Sequence, residues 1–394
     1  MTDSEVSVLL HCAAWRGLLQ SQVQVELSER FNRQTDPALD CQIEEVWRER
    51  VSKEPWLFNG SKFRLHSFCL ASSSPKHPAC THPPHTLPSD RAEEHEGELQ
   101  RSRQRMEENL CITASLHETV QSSLVKRSRP VNQAENKEGL SALSQTSSTC
   151  RENLLTLRLG LTCYKDYLGT NWSCRVAELR QRGEVEFGDP LVLLAQPLGV
   201  GGVLCTDDGQ VVLIRRSQRV AEAGGLLDIP GGHPEPKVVC ELLGRAVRED
   251  QISVDMMQQR LVVSELFSSV CAEIRDEVNI PLSSLGEPVL MGVALNHTSA
   301  GRPSAEFYVS CSLTSDEVRK LYWEGGAEAH ESTDIVFLSR TEVLQLDRSN
   351  PLWSELCPSA KGAVLLYQTV KPDSERGQSR QPDAHLIASE NGSR

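Results

Sequence analysis

The sequence predicts an α/β fold, a mixed sheet sandwiched between helices, and three observations carry that prediction. Strand-like and helical segments alternate from about Pro190 to Val370. Two of the strands are joined by an Asp208-Gly209 turn, and a long amphipathic helix follows a Pro-Gly-Gly turn. A hydrophobic content of 39% in 394 residues is enough for at least one buried core.

Taken in order, PWLFNGSKFRLHSF turns at Asn59-Gly60 and enters a strand, and NLLTLRLGLTCY alternates apolar and polar residues like the partner of that strand. Between them, Ser72 to Cys150 is rich in Pro, Ser and charge, with few aromatics and no sustained periodicity. This segment is expected to be a disordered insert (72–150) that interrupts one small α+β domain made of 1–71 and 151–189. Within it His77, Cys80, His82 and His85 have donors suited to zinc, but a Pro-rich solvated loop is the preferred reading.

The second domain is expected over 190–370. GGVLCTDDGQVVLIRR is a strand, a turn and a strand, and GLLDIPGGHPEP is a short strand ending in the glycine turn. A helix is expected over Gln259 to Val278, then strands in PVLMGVALN and AEFYVSCSL, a helix capped by Ser315, and a last helix from Ala360 to Thr369. The polar residues 371–394 read as a disordered tail.

Charge and composition narrow the function. The formal net charge of −13 repels polyanions, so no nucleic-acid partner is expected. No membrane partner is expected either, because the most apolar stretch, Pro190 to Cys205, is broken by Gln196, Pro197 and glycines. Thirteen cysteines are scattered without a C-x-x-C pair, and the N-terminus lacks the basic-then-apolar order of a secretory signal. A cytoplasmic location is expected.

The chemistry concentrates on the long helix. Val263, Leu266, Phe267, Val270, Ile274 and Val278 recur at three- and four-residue intervals and define a buried stripe. At roughly 100° per residue, Glu273 and Glu277 lie about 40° apart, with Asp276 about 60° to the other side of Glu273. Crowded like charges cost an isolated helix a few tenths of a kcal/mol per pair, which a divalent cation would relieve. The plain alternative is a solvated acidic face.

A Pro-Gly-Gly turn followed by a carboxylate-bearing helix resembles the Nudix hydrolases, whose box ends R-E-U-x-E-E-x-G-U, and Ala272 to Ile280 reads AEIRDEVNI. Glu273 takes the place of the first glutamate of that ending, Asp276 and Glu277 that of the acidic pair, and Ile280 that of the final aliphatic residue. Ala272 replaces the arginine and Asn279 the glycine. The loop between Gly232 and the helix is longer than the box allows, and Glu265 stands one place out of register for the earlier glutamate. RRSQRVAEAGGLLDIPGGHPEP, LNHTSAGRPSAEFYV, LTCYKDYLGTNW and PWLFNGSKFRLHS extend the likeness over most of the chain. Together they resemble the uridine diphosphate glucose pyrophosphatase branch of that family.

The resemblance implies a Nudix α/β/α sandwich beside a small N-terminal α+β domain. It also implies magnesium-dependent cleavage of UDP-glucose and UDP-galactose to UMP and a hexose 1-phosphate. It assigns magnesium (Mg2+) to Glu273 and Glu277, with Asp276 either a ligand or the holder of a nearby water. It places substrate contacts at Phe58, Tyr164, Arg216, Ala221, Asp228, His233 and Glu235. Glu306, in SAEFYV, and the pair His330 and Glu331, in EAHEST, are late candidates for a base or a third metal ligand, with Glu331 preferred because movable bases sit on loops, the plain alternative being strand and loop polar residues. The partner implied is a small-molecule nucleotide sugar. The alternative is a catalytically weak module of the same fold that binds nucleotide sugars or protein partners.

Overall fold

A computed structural model describes residues 3–71, 79–81, 154–220 and 222–374. Its strands and helices begin with Val6–His11 (β1), Val23–Leu27 (β2), Pro37–Lys53 (α1), Ser61–Leu70 (β3), Ala79–Thr81 (β4), Leu155–Cys163 (β5), Tyr164–Gly169 (α2) and Val176–Phe187 (α3). Gly199–Cys205 (β6), Gln210–Arg216 (β7), Leu227–Asp228 (β8), Gly231–Gly232 (β9), Pro236–Leu242 (α4) and Gln259–Val278 (α5) follow. The chain continues through Val289–Asn296 (β10), Arg302–Ser310 (β11), Ser315–Glu324 (α6), Ser332–Ser339 (β12), Arg340–Gln345 (α7) and Pro358–Val370 (α8).

The larger sheet has the order β1-β10-β11-β6-β7-β12, with β8 beside β7 and β9 beside β6. Only β11 and β6 run parallel along this path, so the sheet is mixed. Residue by residue its strands alternate between two covered faces. Phe307 packs edge-on to Phe267 of α5 at 5.0 Å between centroids, while its neighbour Tyr308 stacks on Tyr367 of α8 at 6.3 Å. The two helices thus cover opposite faces, the α/β/α arrangement expected from the alternation of elements.

The smaller sheet runs β2-β5-β3-β4, and it covers the side of α5 turned away from the large sheet. Helix α5 is therefore enclosed on two sides, which explains why Glu265 and Glu277 are buried together with its apolar stripe. Arg64 of β3 fastens the small sheet to the segment leading into β6. It is buried, and its guanidinium donates to the carbonyls of Leu194 (3.1 Å), Phe31 (2.9 Å) and Leu191 (2.9 Å).

Local features both match the expectations and depart from them. The strands on either side of the insert do pair, from Ser61 with Cys163 to Leu70 with Leu155. Ala79–Thr81, inside the segment expected to be disordered, is a strand in register with Phe68–Leu70, because an unpaired edge of β3 can template a short partner. Val6–His11 does not join the small sheet but forms an edge of the large one, against β10. Helix α6 is capped by Thr314, one residue before the expected Ser315: Thr314 Oγ1 accepts from the Glu317 amide and Glu317 answers to the Thr314 amide.

At the end of the chain, Asp373 accepts from the Tyr367 hydroxyl at 2.6 Å, and the Ser374 carbonyl accepts from Arg16. These contacts hold the first residues of the expected tail. The rest of the tail, most of the insert with the side chains of His77, Cys80, His82 and His85, and Ala221 lie outside the described residues. No helix among the described residues is long and apolar enough to cross a membrane.

Candidate active site

The glycine turn and the glutamate helix meet where β9 lies against β6. Gly231 donates its amide to Glu277 Oε2 at 2.9 Å, and the next amide but one, that of His233, donates to the Glu273 carboxylate and partly offsets the rise in its pKa. Gly232 sits so close to Glu273 that a Cβ there would run into the carboxylate. Glycine is required for contact rather than for conformation. Two residues on, the Glu235 amide donates to Glu265 Oε1 at 3.0 Å, so the glutamate out of register still anchors the loop.

Burial dominates the electrostatics of this cluster. It pushes Glu273 up to about 7, with the charge of Glu328 adding to the effect and Glu331 contributing further. Glu277 is raised well above the ordinary carboxylate range by burial and then by Glu273, Asp228 and Glu331, against the pull of the Gly231 amide. Glu265 is pushed to about 7 by burial. Hard oxygen donors that raise one another in this way fit a divalent cation, which would favour their ionised forms. Among the described residues no three His, Cys, Asp or Glu side chains are already gathered to hold a metal, so ligation requires the carboxylates to converge.

Asp276 is placed differently from its helix neighbours. Its carboxylate makes a two-point pair with Arg275, at 2.7 and 2.6 Å. Asn279 ends the helix in the left-handed conformation (φ 65°), as its replacement of a glycine allows, and its side chain donates to the Leu321 carbonyl.

A pocket of about 290 Å³ opens beside the turn, lined among others by Arg216, Asp228, His233 and Glu331. Arg216 donates to Asp228 Oδ2 at 3.1 Å, and Asp228 Oδ1 accepts from Ser359 at 2.9 Å. His233 is kept well below the usual imidazole value by burial and by Lys62 and Arg302, so it is neutral at physiological pH. Glu235 does not line the pocket; it is exposed, begins helix α4, and lies 3.7 Å from Lys62. Phe58 is 61% exposed and rests against Gly60, outside the pocket. Tyr164 stands one aromatic ring removed, next to Tyr167, which in turn touches Trp172 of the pocket wall at 5.7 Å.

Several pocket residues carry no sequence signal of their own. Arg302 is half-buried and bonded to Glu222 at 2.9 Å, and Glu222 also accepts from the Tyr167 hydroxyl and from Ser299. Burial works against the charge on Arg302, but Glu222 holds its pKa above the usual value. The segments containing Trp172 and Arg302 were among those that carried the family likeness. Nothing local in the sequence marks a strand arginine or a loop tryptophan as facing a pocket.

No family model matches the chain. The sequence is 42% identical over 370 residues to a mouse (Mus musculus) protein named uridine diphosphate glucose pyrophosphatase NUDT22, a match covering 94% of this chain and 92% of that one. The human protein of the same name is 42% identical over 369 residues, 94% of each chain. Nudix hydrolase 9 of Arabidopsis thaliana is 27% identical over 372 residues, 93% of this chain and 91% of the plant protein. Among solved structures, a Nudix hydrolase from Alicyclobacillus acidocaldarius overlays on 44% of this chain and 91% of its own, with 12% identity and a TM-score of 0.29, too slight a likeness to bear on function. Kinship of 42% along nearly the whole of both chains is decisive: the chain belongs to the Nudix hydrolases, in the uridine diphosphate glucose pyrophosphatase family.

Proposed function

We propose that this chain hydrolyses the pyrophosphate bond of UDP-glucose and UDP-galactose, releasing UMP and a hexose 1-phosphate. The observation that carries this reading is the hydrogen bond from Gly231 to Glu277, which joins a buried carboxylate cluster to the wall of a pocket lined by two cations, Arg216 and Arg302. The printed names of the mammalian relatives support the choice of substrate.

Glu273 and Glu277 would hold a divalent cation, proposed to be magnesium, which when bound neutralises charge on the phosphate oxygens. Arg216 and Arg302 orient the diphosphate, and each is held ready by a carboxylate, Asp228 and Glu222, that a phosphate can displace. Neutral His233 offers a hydrogen bond without adding charge. Glu331, at the pocket and electrostatically coupled to Glu273, is the proposed acceptor of the proton from the attacking water. The Tyr164, Tyr167 and Trp172 row supports aromatic packing near the nucleoside. Asp276, paired with Arg275, has no part in this scheme, and Phe58 would contribute only if its surface segment folded over the pocket.

Free thiols buried at Cys12, Cys205, Cys240, Cys311 and Cys357 support a reducing, cytoplasmic setting. Incubation of the full chain with UDP-glucose and magnesium tests the activity: UMP is expected in amounts equal to glucose 1-phosphate. No UMP above that made by a Glu277→Gln variant would leave the binding-module reading in its place. Product analysis in oxygen-18 water then identifies the phosphorus attacked.

A further inference from the structure

Glu306 lies in the middle of β11 and has no exposed surface, yet neither of its carboxyl oxygens has a partner in good hydrogen-bonding geometry, the Ser304 hydroxyl on the same strand being the one donor that acts on it. Buried polar groups are ordinarily paired, so an orphan of this kind requires a reason. Phe307 and Gly202 face helix α5, where Phe267, Val270 and Ile274 receive them. Alternation therefore turns Glu306 to the opposite face of the sheet from that helix and its glutamates.

On that face Glu306 forms part of the pocket wall. Its register partner is Gly201, and a side chain at position 201 would collide with the Glu306 carboxyl and with Ile229. The absent side chain keeps room for the carboxyl at the base of the pocket. Two other carboxylates of the pocket wall are already engaged. Asp228 is bonded to Arg216, Ser359 and the Ile229 amide, and Glu222 to Tyr167, Ser299 and Arg302.

We propose that Glu306 is a specificity-determining residue that hydrogen-bonds a sugar hydroxyl of the substrate. This rests on the nucleotide-sugar reading of the same pocket. Burial pushes the carboxyl up to about 8, against the opposing pulls of the Ser304 hydroxyl and Arg302. At neutral pH it is mainly the neutral acid, with one donor and one acceptor, the complement of a hydroxyl. The hydroxyl comes either from the hexose or from the ribose.

The test compares wild type, Glu306→Ala and Glu306→Gln for KM and kcat with UDP-glucose, inhibition by UMP, and thermal midpoint. Glu306→Ala is expected to raise KM about tenfold, the loss of one hydrogen bond, with kcat within about threefold. Glu306→Gln keeps a donor and an acceptor and is expected to restore KM, with a midpoint at or above that of wild type. Weaker UDP-glucose binding with unchanged UMP inhibition assigns the contact to the hexose; equal weakening of both assigns it to the ribose. A KM within twofold of wild type in a folded Glu306→Ala protein overturns the proposal, as does a Gln variant that loses thermal stability while keeping its KM. If wild type fails to cleave UDP-glucose, the activity reading falls separately, and calorimetric titration of UDP-glucose into the same proteins decides this one. Equal affinities, or no binding at all, would overturn it.

Discussion

The amide of Gly231 and the carboxylate of Glu277 are joined at 2.9 Å although 46 positions separate them in the chain. That bond sets the helix in register with the glycine turn, and the remaining contacts of the cluster are arranged around it.

Replacing Glu277 with glutamine keeps an oxygen to accept from Gly231 and matches the neutral form that burial favours. Thermal stability should change by less than about 1 kcal/mol, while turnover of UDP-glucose falls about a hundredfold or more through loss of a proposed metal ligand. Parallel melting curves and rate measurements check both halves.

A Cβ at position 232 falls on the Glu273 carboxylate. Gly232→Ala should fold, because the end of a flexible side chain can move aside, but displacing that ligand should lower kcat by about tenfold to a hundredfold. A magnesium titration should show a higher half-saturating concentration than wild type. Unchanged metal dependence would place the ligand elsewhere.

Glu265 and Glu273 are pushed to about 7 and Glu306 to about 8, from an ordinary value of 4.5. Between those values the folded chain holds protons that the unfolded chain has released, so stability falls as pH rises from about 4.5 to 8. Metal-free protein should therefore lose thermal midpoint from pH 5 to pH 8. Magnesium should raise the midpoint more at pH 8 than at pH 6, where protons compete for the same oxygens. Chelation should abolish turnover, and added magnesium should restore it.

Arg64→Ala leaves the carbonyls of Phe31, Leu191 and Leu194 without their donor in a buried site. A loss of about 2–5 kcal/mol is expected in chemical denaturation. A change under 1 kcal/mol would mean that water reaches those carbonyls.

The parts of the fold that could be read in the sequence are those with a local period. Helix α5 spans Gln259–Val278 as expected, because its apolar residues repeat with the helical turn over five turns. The Asp208-Gly209 turn and the pairing of β3 with β5 follow from alternation and turn chemistry. Contacts between remote segments could not be read. Arg302 and Glu222 are 80 positions apart, and no residue between them marks the pair. The pairing of Asp276 was also hidden, since helical spacing gives an angle around the axis but not the ion pair with Arg275 beside it. The membership of Val6–His11 in the large sheet was hidden for a similar reason: an apolar strand suits either sheet equally well.

The pairing of β3 with β5 across the long intervening segment bears on how the polypeptide is made and how it tolerates change. During synthesis β3 must wait for β5 to leave the ribosome, so the small sheet completes late while its early half stays exposed. Closing a flexible loop costs only about 0.6 kcal/mol more for each doubling of its length. A change of length between β3 and β5 therefore carries little loop-closure penalty of its own, so long as the two strands still meet in the same register.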